Sequence, residues 1–334
     1  MNRTINATVL GSGVWGTVIS GLLAKKGHRV NSWEYNKETA EFLKTKRTHP
    51  VMPYYRLPDN VTVHTDLKEA LADTHLLVFA VASAHLRDVA GQVNGFLPKN
   101  IKLPAVAVSK GIETKTFKTV CTIIEEEIHA CRGRTMMMSG PSFAVETAKD
   151  CPTKVVLAGQ DYILLKHTAD MIQGGPLKLE LSNDRLGTEL GGSLKNVYAV
   201  GSGIIDGLSN GAKNSEAAFL IESADELRKI IIAMGGRPET AWGLSGMGDL
   251  LLTATSAKSR NYTFGQYIGR GMTSREAKEK IQTVVEGFEA LENAHELCKY
   301  HKIDAPVIDS IWRIVYKDHK PQSVLEAAGF YLGE

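Results

Sequence analysis

Cysteine is scarce in this 334-residue chain: Cys121, Cys131, Cys151 and Cys298 stand far apart, with no Cys-x-x-Cys pair. That scatter excludes a disulfide framework. With no histidine cluster at ligand spacing, it also argues against structural zinc, and no metal is expected. Long apolar runs are missing as well, since nothing approaches the roughly 18 to 20 residues that a membrane span requires. The first residues, Met1-Asn2-Arg3-Thr4-Ile5, carry neither an apolar stretch nor a cleavage signal, so no leader is expected. Nor does one sign of charge prevail: 39 basic residues face 37 acidic ones, for a net charge of +2. Such balance gives no nucleic-acid footprint and no polybasic membrane anchor, although a few local cations can still meet a small anion. What remains is an ordinary globular composition, 43% hydrophobic with a mean hydropathy of −0.13. The length suggests about two domains of roughly 150 residues each, and scattered, reduced thiols point to the cytoplasm.

Apolar, β-branched runs alternate with amphipathic stretches through the first half. Ala7-Thr8-Val9-Leu10, Arg29 to Trp33, His75 to Ala80, Pro104 to Val108 and Thr135 to Ser139 read as strands, with Lys154 to Ala158 and Leu177 to Leu181 as further candidates. Helices are expected between them over Trp15–Lys26, Leu86–Val93 and Phe117–Ala130. Continuous apolar strands separated by helices imply βαβ units and a mainly parallel sheet covered on both faces. From Gly187 onward only helical periodicity is found, with helices over Ser215–Met234, Glu286–His301 and Pro306–Asp318. The expected architecture is α/β: a Rossmann-like, doubly wound domain over 1–186 and an all-helical domain over 187–334. Thr45 to Asp59, with three prolines and two adjacent tyrosines, reads as a surface loop.

Gly11-Ser12-Gly13-Val14-Trp15-Gly16 follows the first strand and opens the first helix. Glycines in that context serve a tight turn, backbone approach to a pyrophosphate and close helix–strand packing, with the helix N-terminus offering amide donors. Gly11, Gly13, Val14, Trp15 and Gly16 are therefore candidate dinucleotide contacts. The second strand runs out into Trp33-Glu34-Tyr35-Asn36-Lys37. Glu34 stands roughly 20 residues beyond the turn, where an acid accepts from the adenosine ribose, and Tyr35 lies beside it. A carboxylate there repels a 2′-phosphate, whereas Lys37 could attract one. Either NAD or NADP is expected, with a lean to NAD.

Further clusters stand at strand ends, where open α/β sheets bind ligands: Ser109-Lys110-Gly111-Ile112-Glu113 and Ser139-Gly140-Pro141-Ser142-Phe143-Ala144. Gly191-Gly192-Ser193-Leu194-Lys195-Asn196 lies near the expected domain junction, followed by Gly246-Met247-Gly248-Asp249 and Ser259-Arg260-Asn261. With Val284-Val285-Glu286-Gly287, these segments make the chain resemble the NAD(P)-dependent sn-glycerol-3-phosphate dehydrogenase family, bacterial branch. The motifs run in family order over almost the whole chain, although Val14 and Trp15 replace a serine and an aromatic of many members.

The resemblance implies reversible reduction of dihydroxyacetone phosphate to sn-glycerol 3-phosphate for phospholipid synthesis, by a homodimer. It implies Lys195 as general acid/base, with Lys110 and Asp249 at the same substrate. Gly140, Ser142, Asn196, Ser259, Arg260 and Asn261 would complete the substrate site. Lys110, Ala144, Arg260, Val284 and Glu286 would touch the cofactor. Chemistry agrees, because a ketone reduction needs a proton at oxygen as well as a hydride at carbon. An ammonium can supply it once burial or a neighbouring cation brings its pKa toward neutrality.

Plainer roles exist for each residue. Lys195 could snorkel from a helix surface, Asp249 or Ser142 could cap a helix, and Ser259-Arg260-Asn261 could be a polar cap. Glu34 and Glu286 could be solvated acids at element ends. Two other functions fit the same plan: a β-hydroxyacid dehydrogenase, which needs no phosphate clamp at Arg260, and a redox sensor that holds dinucleotide without turnover.

Overall fold

The computed structural model describes residues 4–330. The chain folds as two compact units: one takes the chain up to Lys110 together with Lys118–Arg185, and the other takes Gly111–Phe117 and the chain from Leu186 onward.

Strands of the first unit are β1 (Asn6–Leu10), β2 (Arg29–Trp33), β3 (Thr48–His49), β4 (Met52–Arg56), β5 (Val61–His64), β6 (Leu76–Phe79), β7 (Ala105–Ala107), β8 (Thr135–Ser139), β9 (Thr153–Ala158) and β10 (Leu177–Ser182). Eight form one sheet in the order β10-β9-β8-β7-β6-β1-β2-β5. Every pairing is parallel except β8 with β9, where Met137 faces Ala158. The link between those two strands holds only the four-residue helix Ala144–Thr147. It turns back at the end of β8 instead of crossing the sheet, so β9 runs the other way. Side chains alternate between faces: Val9, Val78, Val106 and Met138 join one apolar cluster, and Leu10, Leu77, Ala105 and Met137 the other. Strands covered on both sides can be apolar throughout.

Three expectations are corrected. The Thr45–Asp59 segment is not a bare loop, because β3 and β4 pair there as an antiparallel hairpin. Tyr55 of this hairpin donates to the Val18 carbonyl of the first helix, and Tyr54 donates to the Val145 carbonyl. Strand β5 went unread because it is short and at the sheet edge, with only Val61 and Val63 turned inward. The helix expected from Phe117 begins at Val120, since Phe117 holds a φ of 56° that a helix cannot include.

Among the described residues of the second unit all regular structure is helical, and no helix there or elsewhere is long and apolar enough to cross a membrane. Its centre is the helix Arg185–Leu208. Between Gly187 and Gly207 every residue is buried except Lys195. A helix buried on all sides belongs inside a bundle, and here Leu194, Val197, Tyr198, Ile204 and Ile205 join the core of this unit.

Glu226 lies deep in that core, 3% exposed. Its carboxylate accepts from the amides of Val307 (2.7 Å) and Ile308 (3.1 Å) at the start of the helix Pro306–Lys317, and from the Tyr198 hydroxyl (3.3 Å). These donors favour the charged form, yet burial outweighs them and pushes the carboxyl up to about 7. A raised acid pKa costs stability on the alkaline side: the unfolded chain ionises first, so stability falls until the native carboxyl ionises too. The native protein is expected to lose Tm between about pH 5 and about pH 8, and Glu226→Gln to flatten that fall. Its absolute stability should drop, because an amide nitrogen cannot accept from a backbone N–H. Equal slopes in thermal melts across that range would show that Glu226 does not titrate there.

Candidate active site

In the first unit the glycine turn joins β1 to the helix Val14–Lys25, with Gly13 as its N-cap. Gly11 has a φ of 98°, and a Cβ on Gly16 would lie 1.9 Å from the Gly11 carbonyl oxygen, so only glycine closes this turn. A Cβ on Gly13 would meet nothing within 4 Å, leaving open space at the helix start for the backbone to meet a ligand. That shape fits a dinucleotide pyrophosphate. Val14 and Trp15 are half-buried against the adjoining core. Glu34 is no merely solvated acid: one carboxylate oxygen accepts from the Ser12 amide at 3.0 Å and the other from the Asn36 amide at 2.9 Å. Tyr35 is 83% exposed beside it.

Lys110 is half-buried just beyond β7. Gly140 follows β8, and its carbonyl accepts from the Ser142 hydroxyl at 2.9 Å. Ser142 is therefore not the cap of the next helix, which starts at Ala144 with Phe143 before it and no side-chain cap bond. Ala144 is half-buried.

In the second unit Lys195 does not lie on a helix surface. Its ammonium donates to Asp249 at 2.5 Å and to the Thr253 hydroxyl at 2.8 Å, with its side chain 12% exposed and that of Asp249 1%. Asp249 opens the helix Asp249–Ala254, but Gly248 is the N-cap and no side-chain cap bond forms there, so the carboxylate is turned to the lysine. Thr253 completes the cluster and escaped sequence reasoning. Its spacing of four from Asp249 is the signal, readable only once the helix start is known. The carboxylate and the hydroxyl together fix the position of the Lys195 nitrogen from two sides.

One residue further along the central helix, the Asn196 amide donates to Glu286 at 3.3 Å. Glu286 also lies 3.8 Å from the Arg260 guanidinium, both about half exposed. The side-chain oxygen Oδ1 of Asn261 accepts from the Gly287 amide at 2.9 Å. Asn196, Arg260, Asn261 and Glu286 are thus brought into one polar group beside Lys195. Ser259 has its hydroxyl engaged in capping the helix Arg260–Gly269, accepting from the Tyr262 amide. Val284 is 62% exposed just before Glu286. Ser193, also unread in the sequence, accepts from the Gly111 amide at 3.0 Å and fixes the segment after Lys110 to the central helix.

A glycine turn between a first strand and helix, an acid at the end of the second strand and a helical unit built round one lysine define the class: a two-unit, nicotinamide-dinucleotide-dependent dehydrogenase. Comparison with known proteins narrows it. The profile of the NAD-dependent glycerol-3-phosphate dehydrogenase N-terminus matches residues 6–164, and that of the C-terminus matches 184–326. The chain is 36% identical to the glycerol-3-phosphate dehydrogenase [NAD(P)+] of Clostridium acetobutylicum, over 94% of each chain. It is equally 36% identical to that of Chlamydia muridarum, over 95% of this chain and 94% of the other. A crystal structure of glycerol-3-phosphate dehydrogenase from Coxiella burnetii superposes with a TM-score of 0.88 at 29% identity, covering 97% of this chain and 98% of that one. The chain belongs to the NAD-dependent glycerol-3-phosphate dehydrogenase family. Neither a β-hydroxyacid dehydrogenase nor a non-catalytic sensor is favoured by these matches.

Proposed function

We propose that this chain reduces dihydroxyacetone phosphate reversibly to sn-glycerol 3-phosphate with NADH or NADPH, in the cytoplasm and as a homodimer, supplying phospholipid synthesis. The sequence-defined domain over residues 1–186 takes the dinucleotide and that over 187–334 the substrate. Its strongest support is the placement of Lys195, the one residue of a buried helical run to keep exposure, hydrogen-bonded to a buried carboxylate.

When bound, the reduced nicotinamide supplies a hydride to the ketone carbon. Lys195 polarises the ketone oxygen and passes its proton there, so a neutral alcohol leaves. Asp249 and Thr253 hold the Lys195 nitrogen in place before and after the transfer, and solvent at its exposed edge restores the proton. Arg260 carries a planar fork of donors suited to phosphate, with Asn196 and Asn261 beside it and Lys110 as a further cation at the substrate. Gly140 and Ser142 line the substrate, with Ser259 placing Arg260. Glycines 11, 13 and 16, with Val14 and Trp15, receive the pyrophosphate, and Glu34 and Tyr35 the adenosine. Ala144, Val284 and Glu286 close on the cofactor.

The test is dihydroxyacetone-phosphate-dependent oxidation of NADH and of NADPH by the purified full chain, followed by loss of reduced-nicotinamide absorbance. Turnover with one or both, competed by inorganic phosphate, is the expected result. Absence of turnover with either dinucleotide defeats the assignment.

A further inference from the structure

We infer that Ser193 and Asn293 are positioning residues: by holding the strap Gly111–Phe117 they fix the peptide group that carries Lys110. The inference rests on the proposed function, in which Lys110 meets the substrate, and adds what holds that residue in place.

The strap comes next after Lys110 in the chain, yet it packs as part of the helical unit. Ile112 is buried in that unit's core, and Phe117 packs against the same core with its ring centroid 5.3 Å from that of Tyr300. Two hydrogen bonds fasten the start of the strap. The Gly111 amide donates to the Ser193 hydroxyl at 3.0 Å, and the side-chain amide of Asn293 donates to the Ile112 carbonyl at 3.0 Å. A peptide group is planar, so the bond to the Gly111 amide also fixes the plane that holds the Lys110 carbonyl and Cα. Within the strap Glu113 closes the turn, its carboxylate accepting from the Thr116 hydroxyl and its carbonyl from the Phe117 amide. Lys115 and Phe117 have φ of 69° and 56°, a backbone state that side chains disfavour and that persists only where the surroundings impose it.

Both anchors stand on elements that carry the polar group beside Lys195. Ser193 comes three positions before Asn196 on the central helix, so the two share a face. The Ser193 hydroxyl donates to the Glu189 carbonyl at 2.7 Å, which turns its lone pairs to the Gly111 amide. Asn293 comes seven positions after Glu286 on the helix Glu286–Tyr300, two turns along the same face, and Glu286 accepts from Asn196. A Cβ on Gly287 would lie 2.7 Å from the Asn196 carbonyl oxygen, so the two helices touch closely at that point. The strap is thus gripped from the two elements that bear Asn196 and Glu286, one peptide bond from Lys110. A lysine ammonium rides on a long flexible stem, and its reach is set by where its Cα is held.

The experiment measures kcat and KM for dihydroxyacetone phosphate on the full chain and on Ser193→Ala, Asn293→Ala and Lys110→Ala. It then repeats them on each of the first two combined with Lys110→Ala, with circular dichroism to establish folding. Ser193→Ala and Asn293→Ala should each lower kcat/KM by roughly 10- to 100-fold, mostly through KM, as displacing a substrate-holding group by about 1 Å does. In the Lys110→Ala background the same changes should cost no more than about twofold, because the group that they place is gone. A loss of equal size with and without Lys110 marks a merely structural role and overturns the inference, as do single variants within about twofold of the native protein; the proposed function survives both. A native chain without turnover defeats the proposed function, and a Lys110→Ala variant as active as the native protein defeats the part of Lys110 in it; the inference falls with either. Should Ser193→Ala fail to fold, the half-buried Asn293 carries the same test alone.

Discussion

Replacing Lys195 with alanine is expected to lower turnover by about 100- to 10,000-fold, the range that a positioned general acid contributes. Dinucleotide affinity should be nearly unchanged, since no proposed cofactor contact involves this side chain. The physical reason is that hydride transfer alone leaves charge on the former ketone oxygen, and in this variant no ammonium stands ready to quench it. A structural cost accompanies the chemical one. The substitution takes the cation away from a carboxylate that is 1% exposed, and removing one partner of such a pair typically costs about 3–5 kcal/mol. The double variant Lys195→Met with Asp249→Asn removes both charges and should recover much of that stability without recovering turnover. Steady-state kinetics on a variant shown to be folded by circular dichroism decide the matter. Turnover within about tenfold of the native enzyme would remove Lys195 from the proton-transfer role.

Gly265→Ala should be among the most damaging small substitutions away from the reacting groups. The helices Arg185–Leu208 and Arg260–Gly269 cross with their backbones in contact: a Cβ on Gly265 would lie 2.0 Å from the Val200 carbonyl oxygen, and one on Gly203 would lie 2.0 Å from that of Tyr262. Neither neighbour is a side chain that can rotate away, so one helix must move. Overpacking a close interior contact costs about 1–3 kcal/mol, and a backbone-on-backbone clash belongs at or beyond the top of that range. The same shift would carry Arg260 and Asn261 away from Asn196, so KM for dihydroxyacetone phosphate should rise in whatever protein folds. Gly95→Ala is the control, since its Cβ meets nothing within 4 Å and it lies inside an ordinary helix. Urea denaturation of the two variants compares them directly, and equal midpoints would show that the crossing tolerates a methyl group.

Much of the fold was legible because burial on both faces writes itself into composition. Strands β2 and β8 were read to their ends, β8 as a continuous buried run that only a covered sheet allows. The edge strand β5 and the β3–β4 hairpin were not, because a short strand with one inward face, or one carrying a proline, looks like a loop. Among the site residues, Lys195 and Asp249 were found through motifs, but motif order does not say what a side chain does. Ser259 caps a helix, Ser142 folds back on Gly140, and Asp249 turns to the lysine; each choice depends on where a helix begins, to within one residue.

The amino-acid order by itself determined the glycine turn, the alternation of strand and helix, the helical second half and the family to which these belong, because each is a local pattern or a motif carried in one stretch of chain. Tertiary structure alone decided that Thr253 joins Lys195, that Glu286 lies between Asn196 and Arg260, and that Glu34 is clamped by two amides. Those contacts bring together groups up to 90 positions apart, and their distances are set by how closely helices pack, a quantity that no single segment encodes.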